Sequence, residues 1–122
     1  RLNEFLGTYD VVKELLNKKS MPTAFAALAD YLSIGLMKAL KEMGYKIPED
    51  ISVVGFNNEI VSQFSEPPLT SVKQPKKLMG KTAMDLLLDM VEGKKIKEKN
   101  IVLPTEIIKR DSVGPVKIKT KT

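Results

Sequence analysis

The side chains with the most chemical potential in this sequence are amides and carboxylates that follow apolar runs. Asn57, Asn58 and Glu59 come directly after residues 51–56, and Asp30 follows residues 23–28 with only Ala29 between. Such groups, presented on loop ends with an aromatic for stacking, are what a polyhydroxy ligand or a purine requires. A plainer reading carries equal weight: Asp30 caps a helix, and Asn57 and Asn58 form a turn. Covalent catalysis has little to work with. The chain has no histidine and no cysteine, so the common nucleophile–base pairs cannot be assembled. Disulfides and thiolate or imidazole metal sites are excluded for the same reason, leaving only carboxylates and amides as conceivable ligands. The glycines are scattered and match neither the Walker nor the dinucleotide-binding pattern. Glu49 with Asp50, and Asp85 with Asp89, read as surface charge rather than acid–base pairs. No enzyme activity, cofactor or metal is expected.

These side chains need elements to hold them. Residues 10–19 have a helical apolar face in Val11, Val12, Leu15 and Leu16. Residues 23–28 suit a strand buried on both faces, and Asp30 stands where it could cap the next helix by accepting the amide of Leu32 or Ser33. That helix has a buried stripe of Leu32, Leu36, Leu40 and Met43, with Gly44 closing it in the left-handed conformation. Residues 51–56 give a second buried strand, so strand, helix and strand form a βαβ unit with a parallel sheet. Ligands of such sheets bind beyond the carboxyl ends of the strands, here residues 28–30 and 56–59. Residues 57–68 read as a functional loop with one short helical turn. A strand over residues 69–73 precedes a helix over 75–92, with Pro75 at its start and Gly93 at its stop; Leu78, Met79, Ala83, Leu86, Leu87, Met90 and Val91 form its apolar face. Residues 100–103 and 105–109 are expected as strands divided by Pro104, and residues 112–122 as a poorly anchored tail.

At 122 residues and 43% apolar content the chain can form one core, burying about two-thirds of its unfolded surface. The net charge of +5 is uneven: residues 1–93 carry 11 basic and 12 acidic side chains, and residues 94–122 carry 9 and 3. Lysine-rich loops and tails without interleaved aromatics or arginines are weak evidence for nucleic-acid recognition. No apolar run approaches the roughly 20 residues that span a bilayer. The first residues also lack the pattern of a signal peptide, so a soluble cytoplasmic protein is expected.

The run PEDISVVGFNNEIVSQFSEPPLTSVKQP, residues 48–75, resembles the LacI/GalR family of bacterial repressors, in which a PEDISVVGFDD-like strand and turn precede a PPLTTVRQP-like crossover. PTAFAALADYLSIGLMKAL is similar to that family's PTAIFAANDxxAxGxxxAL segment, MGKTAMDLLLDMVEG to its MGxxAxxLLLxxIEG helix, and IVLPTEIIKRDSV to its LPTELVxRxSV strands. The resemblance implies an α/β, periplasmic-binding-protein-like fold of type I, a parallel sheet flanked by helices, of which this chain is a fragment. Residues 1–60 and 100–113 would lie in the C-terminal subdomain of a two-subdomain effector-binding and dimerisation domain. Residues 68–93 would supply a crossover strand and helix of the N-terminal subdomain, with 114–122 a tail.

The resemblance also carries residue roles. Asn57 matches the first acid of the FDD turn, which commonly bonds the sugar or purine effector; asparagine keeps the hydrogen bonding and loses the charge. Asn58 takes the second position. Ala29 stands where many members have a ligand-contacting asparagine, and Asp30 matches the acid beside it. Phe5 aligns with an aromatic that stacks on the ligand. In the alternative alignment, Arg1 instead begins the family's RLxGF motif, whose arginine is often an effector ligand, with Glu4 in place of the glycine. The function implied is ligand sensing by a repressor that binds a small-molecule effector, forms a homodimer and grips operator DNA through a helix-turn-helix outside this chain. A protein co-regulator is a further partner to test, and no membrane is involved. The alternative is a sugar-binding solute receptor of a transport system, and a third reading is an interaction fragment without a ligand.

Overall fold

The computed structural model describes residues 10–12, 14, 21–96, 98 and 100–116. Among the described residues four strands, β1 (Ala24–Ala26), β2 (Ser52–Phe56), β3 (Thr70–Lys73) and β4 (Glu106–Ile108), lie in the order β1-β2-β3-β4. β1 pairs parallel with β2, Phe25 opposite Val53, and β2 parallel with β3, Gly55 opposite Ser71. The connection from β1 to β2 is helix α1 (Asp30–Glu42), the expected βαβ unit. A short 3₁₀ turn, Ile60–Gln63, interrupts the loop between β2 and β3. The second helix, α2 (Lys76–Val91), follows β3.

One core lies between α1 and the sheet. Leu36, Met37, Ala39 and Leu40 from α1 meet Ile51 and Val53 at β2 and Leu69 before β3, with Val12 and Ile47 at the margins. Burial of such side chains contributes roughly 1.5–3 kcal/mol each. The buried face of α1 also takes in Ser33 and Gly35, whereas Leu32 is half-buried and Met43 exposed. The stripe is thus rotated from the Leu32–Met43 row expected from leucine spacing. Gly44, at φ 87°, closes the helix as expected. Asp10, Val11, Val12 and Glu14 are helical. Val12 is buried and Val11 is not: neighbours on a helix point about 100° apart, too far for both to face a narrow seam. Leu15 and Leu16 lie outside the described residues.

Several expectations need correction. β1 is three residues long and is not buried on both faces: Ala24 and Ala26 are exposed and Phe25 half-buried. Among the described residues β1 ends the sheet, with β2 as its strand neighbour. Residues 100–103 form no strand, and Val102 is 92% exposed; no ladder partner for them occurs among the described residues. The expected apolar face of α2 has no buried residue. The chain divides into two compact units, one holding residues up to Lys73 and from Ile107, the other Gln74–Glu106. The second unit holds one helix and its flanking segments, so α2 has no second layer within that unit against which to bury its stripe. β3 falls in the first of these units.

The beginning of the expected tail is anchored rather than loose. Ser112 has no exposed surface; its hydroxyl donates to the Val53 carbonyl (2.6 Å) and accepts the Thr70 amide (2.8 Å), and its own carbonyl accepts the Val53 amide (2.8 Å). Residues 117–122 lie outside the described residues. Replacing Ser112 with alanine leaves a buried amide and a buried carbonyl short of a partner, and is expected to cost about 1–3 kcal/mol. Urea unfolding would show this as a lower midpoint at unchanged slope; a shift worth less than about 0.5 kcal/mol would mean the segment anchors nothing.

Candidate functional site

At the carboxyl ends of β1 and β2 two loops come together around one buried carboxylate. Asp30 is the first residue of α1 and has no exposed surface. Its Oδ2 accepts the Glu59 amide (2.5 Å) and the Ser62 hydroxyl (2.7 Å), and its Oδ1 accepts the Ser71 hydroxyl (2.6 Å). The expected cap is therefore corrected: Ala29 holds the N-cap position with no side-chain bond, and the Ser33 amide is met by the Ala29 carbonyl (3.1 Å). Asp30 turns inward and fastens the β2–β3 loop and β3 to the start of α1. With its oxygens occupied by protein donors and closed from solvent, it presents nothing to an effector directly.

Gly55 makes that inward turn sterically feasible. A Cβ there would stand 2.2 Å from Asp30 Oδ1 and 2.8 Å from Leu69 Cδ2. β2 is therefore bare at residue 55, where the carboxylate of α1 lies against it.

The loop so fastened begins with a left-handed pair, Asn57 at φ 100° and Asn58 at φ 49°. Positive φ costs an L-residue of the order of 1–2 kcal/mol, least for asparagine and aspartate. The turn persists because each residue is tied. The Asn57 amide donates to the Val72 carbonyl (2.9 Å) and the Asn58 amide to the Ser71 hydroxyl (3.0 Å). Arg110 Nη2 donates to Asn58 Oδ1 (2.7 Å), while Nη1 donates to the Leu69 carbonyl (2.6 Å). Asn58 is thus engaged inside the protein. The half-buried Asn57 carboxamide takes no hydrogen bond among the described residues. Ala29 lies on the same rim and contributes no polar atom; Leu28 beside it is 86% exposed.

Asn57, Asn58, Ala29 and Asp30 therefore converge on one end of the sheet, in different capacities. Arg1 and Phe5 lie outside the described residues. Sequence reasoning missed Arg110, Ser62 and Ser71. Arg110 stands in the matched IVLPTEIIKRDSV run, but its partner is 52 residues away along the chain, and only the fold joins them. Among the described residues no cluster of acids could hold a metal ion, and no helix is long and apolar enough to cross a membrane. A separate cavity of about 620 Å³ lies at the opposite, amino ends of β1 and β2, lined by Thr23, Tyr45, Asp50, Ser52 and Pro115 among others. On α2, Asp85 holds the Lys81 ammonium above its ordinary pKa; beyond its end, Glu92 first and then Asp89 do the same for Lys94. These are exposed ion pairs of little energetic weight, and they belong to the helix surface.

Residues 3–113 match the periplasmic-binding-protein-like domain family. A lactose operon repressor of Rhizobium radiobacter is 41% identical over 104 residues, 85% of this chain and 91% of that sequence. The transcriptional regulator MalR of Clostridium butyricum is 40% identical over 106 residues, 85% of this chain and 31% of that protein. Among solved structures, the lac repressor dimer bound to operator and the anti-inducer ONPF superposes with a TM-score of 0.81 at 34% identity, over 88% of this chain and 37% of that one. The regulator CelR in complex with cellobiose gives 0.80 at 32%, over 88% and 33%.

The fold and these relatives define an effector-domain class, the periplasmic-binding-protein-like α/β domain. The chain belongs to the LacI/GalR family of transcriptional repressors and corresponds to part of its C-terminal effector-binding region. Its relatives are regulators of transcription, not enzymes. It spans about 30% of the length of such relatives as the Clostridium regulator and the PurR repressor of Vibrio atlanticus.

Proposed function

We propose that this chain is the ligand-sensing portion of a LacI/GalR-type repressor, in which a sugar or related metabolite bound at the Asn57 rim alters the grip of the complete protein on operator DNA. The observation that carries this reading is the Asn57–Asn58 turn: two left-handed asparagines, tied by backbone and side-chain bonds, with one carboxamide left open at the carboxyl end of a parallel strand. A group held this way costs little to order when a ligand arrives. In this reading the complete protein is a cytoplasmic homodimer, a state supported by the similar lac repressor, which is a dimer on its operator, and effector binding shifts the balance between conformations that hold DNA well and poorly. Residues 74–106 belong to the N-terminal subdomain in this reading.

The rim favours a ligand that meets an amide rather than an acid at residue 57 and an apolar wall at Leu28 and Ala29. Isothermal titration of the complete polypeptide against cellobiose, D-ribose and hypoxanthine is expected to give saturable binding of at least one. Asn57→Ala is expected to weaken that binding about 10-fold, the loss of roughly one good hydrogen bond. A folded parent protein that binds none of the three, with operator affinity indifferent to all, would end the sugar- or purine-sensing reading and direct attention to a protein co-regulator.

A further inference from the structure

Arg110 reaches back from the segment after β4 to the loop after β2 and makes four polar connections there. Its guanidinium donates to Asn58 Oδ1 and to the Leu69 carbonyl. Its backbone amide donates to Thr70 Oγ1 (2.9 Å), and its carbonyl accepts from the same hydroxyl (3.1 Å). The next residue continues the seam, the Asp111 amide donating to the Pro68 carbonyl (3.0 Å). One residue therefore joins three stretches of chain: the strained turn, the start of β3, and the segment by which the chain has just returned to the first unit at Ile107.

The turn is the part of the site least able to hold itself. Two consecutive non-glycine residues at positive φ persist only where surrounding bonds over-determine them, and Asn58 has two such bonds, its amide to Ser71 and its side chain to Arg110. The first is anchored through Ser71 to Asp30, within the βαβ core. The second is anchored on the returning chain. Arginine suits this place because its fork offers two donors in fixed geometry, one to each of two acceptors, which a lysine ammonium does not.

We propose that Arg110 is a positioning residue for effector recognition: it clamps the Asn57–Asn58 turn in its ligand-ready form and makes that form depend on where the returning strand lies. The effector meets Asn57; Arg110 decides how often Asn57 is correctly placed. Movement of the segment around residues 107–110 then alters effector affinity, and a bound effector steadies that segment in turn. This inference rests on the sensing function proposed above for the same turn, but the clamp itself can be read without any ligand.

Hydrogen exchange of the complete polypeptide, free of effector, provides that reading. Arg110→Met keeps the apolar stem and removes both donors; Asn58→Ala removes the acceptor. Each is expected to speed exchange of the Asn58 and Glu59 amides about 10-fold while the Leu40 and Val53 amides stay at parent rates. The double variant is expected to exchange more slowly than the two single effects combined would give, because both changes break the same bond. Asn58→Asp keeps an acceptor for the guanidinium and is expected to hold parent rates. Additive effects, faster exchange throughout the core, or unchanged amides at 58 and 59 would each overturn the clamp. In a second arm, cellobiose and D-ribose are titrated into parent and variants: a ligand that binds the parent is expected to bind Arg110→Met about 10-fold more weakly, and Asn58→Asp more tightly than Asn58→Ala, because the acceptor for the guanidinium is kept. Equal affinity for Arg110→Met would overturn the link to recognition, whereas a parent that binds neither sugar counts against sugar sensing and leaves the exchange rates to decide the clamp.

Discussion

Replacing Asp30 with alanine is expected to cost about 3–5 kcal/mol, a large share of the 5–15 kcal/mol that holds a typical domain together. Three donors converge on this carboxylate from outside its own helix: the Glu59 amide, the Ser62 hydroxyl and the Ser71 hydroxyl. Ser62 and Ser71 are completely buried, so water cannot readily replace the lost acceptor. The change Asp30→Asn is expected to be the milder of the two. With its oxygen turned to the Glu59 amide and the Ser62 hydroxyl, the new NH2 group faces the Ser71 hydroxyl, whose oxygen can accept, so the loss falls on the charge of the acceptor and on the bond made by the Ser71 proton. Urea unfolding followed by circular dichroism, on the complete polypeptide, should show a smaller loss for Asp30→Asn than for Asp30→Ala. A loss below about 1 kcal/mol for Asp30→Ala would mean that the loop does not depend on Asp30.

The second large effect is expected at Gly55. An alanine methyl would stand 2.2 Å from Asp30 Oδ1 and 2.8 Å from Leu69 Cδ2, distances at which the carboxylate must leave its place or the strand must shift. Overpacking of this kind costs typically about 1–3 kcal/mol and occasionally more. Here it also disturbs the three bonds of Asp30, so a loss of about 3 kcal/mol or more is expected. The two sites are in direct conflict, which gives a sharper check than either alone. In the double variant Asp30→Ala with Gly55→Ala, the carboxylate that obstructs the methyl is gone, and the combined loss is expected to fall short of the sum of the single losses. Full additivity in unfolding measurements would show that Gly55 is small for another reason.

Those expectations bear on how much could be read before the fold was known. The βαβ unit was legible because its signals are local: apolar runs at residues 23–28 and 51–56, a leucine-spaced helix between them, and Gly44 to end it. The same reasoning placed the candidate site at the strand carboxyl ends and brought Asn57, Asn58 and Asp30 to one rim, to which the family resemblance added Ala29. It misjudged features decided by neighbours distant in the chain. Asp30 has the residue type and position of a helix cap, and only the approach of Ser62 and Ser71 shows that its carboxylate turns into the protein. Ser112 looks like the start of a loose tail until Val53 and Thr70 are brought against it. The apolar rows of α2 and of residues 100–103 predict burial, which depends on a second layer that the unit Gln74–Glu106 does not itself provide. Arg110 carries no local signal of its bond to Asn58.

The central claim is that the sensing surface lies at the carboxyl ends of β1 and β2, around the open carboxamide of Asn57. A crystal structure of the complete polypeptide with its bound effector tests this most directly. The account predicts ligand atoms within hydrogen-bond distance of the Asn57 carboxamide and against Ala29, with Asp30 still buried beneath the turn. A ligand seated instead in the cavity at the amino ends of those strands, against Thr23, Tyr45 and Ser52, with the Asn57 rim empty, would contradict it.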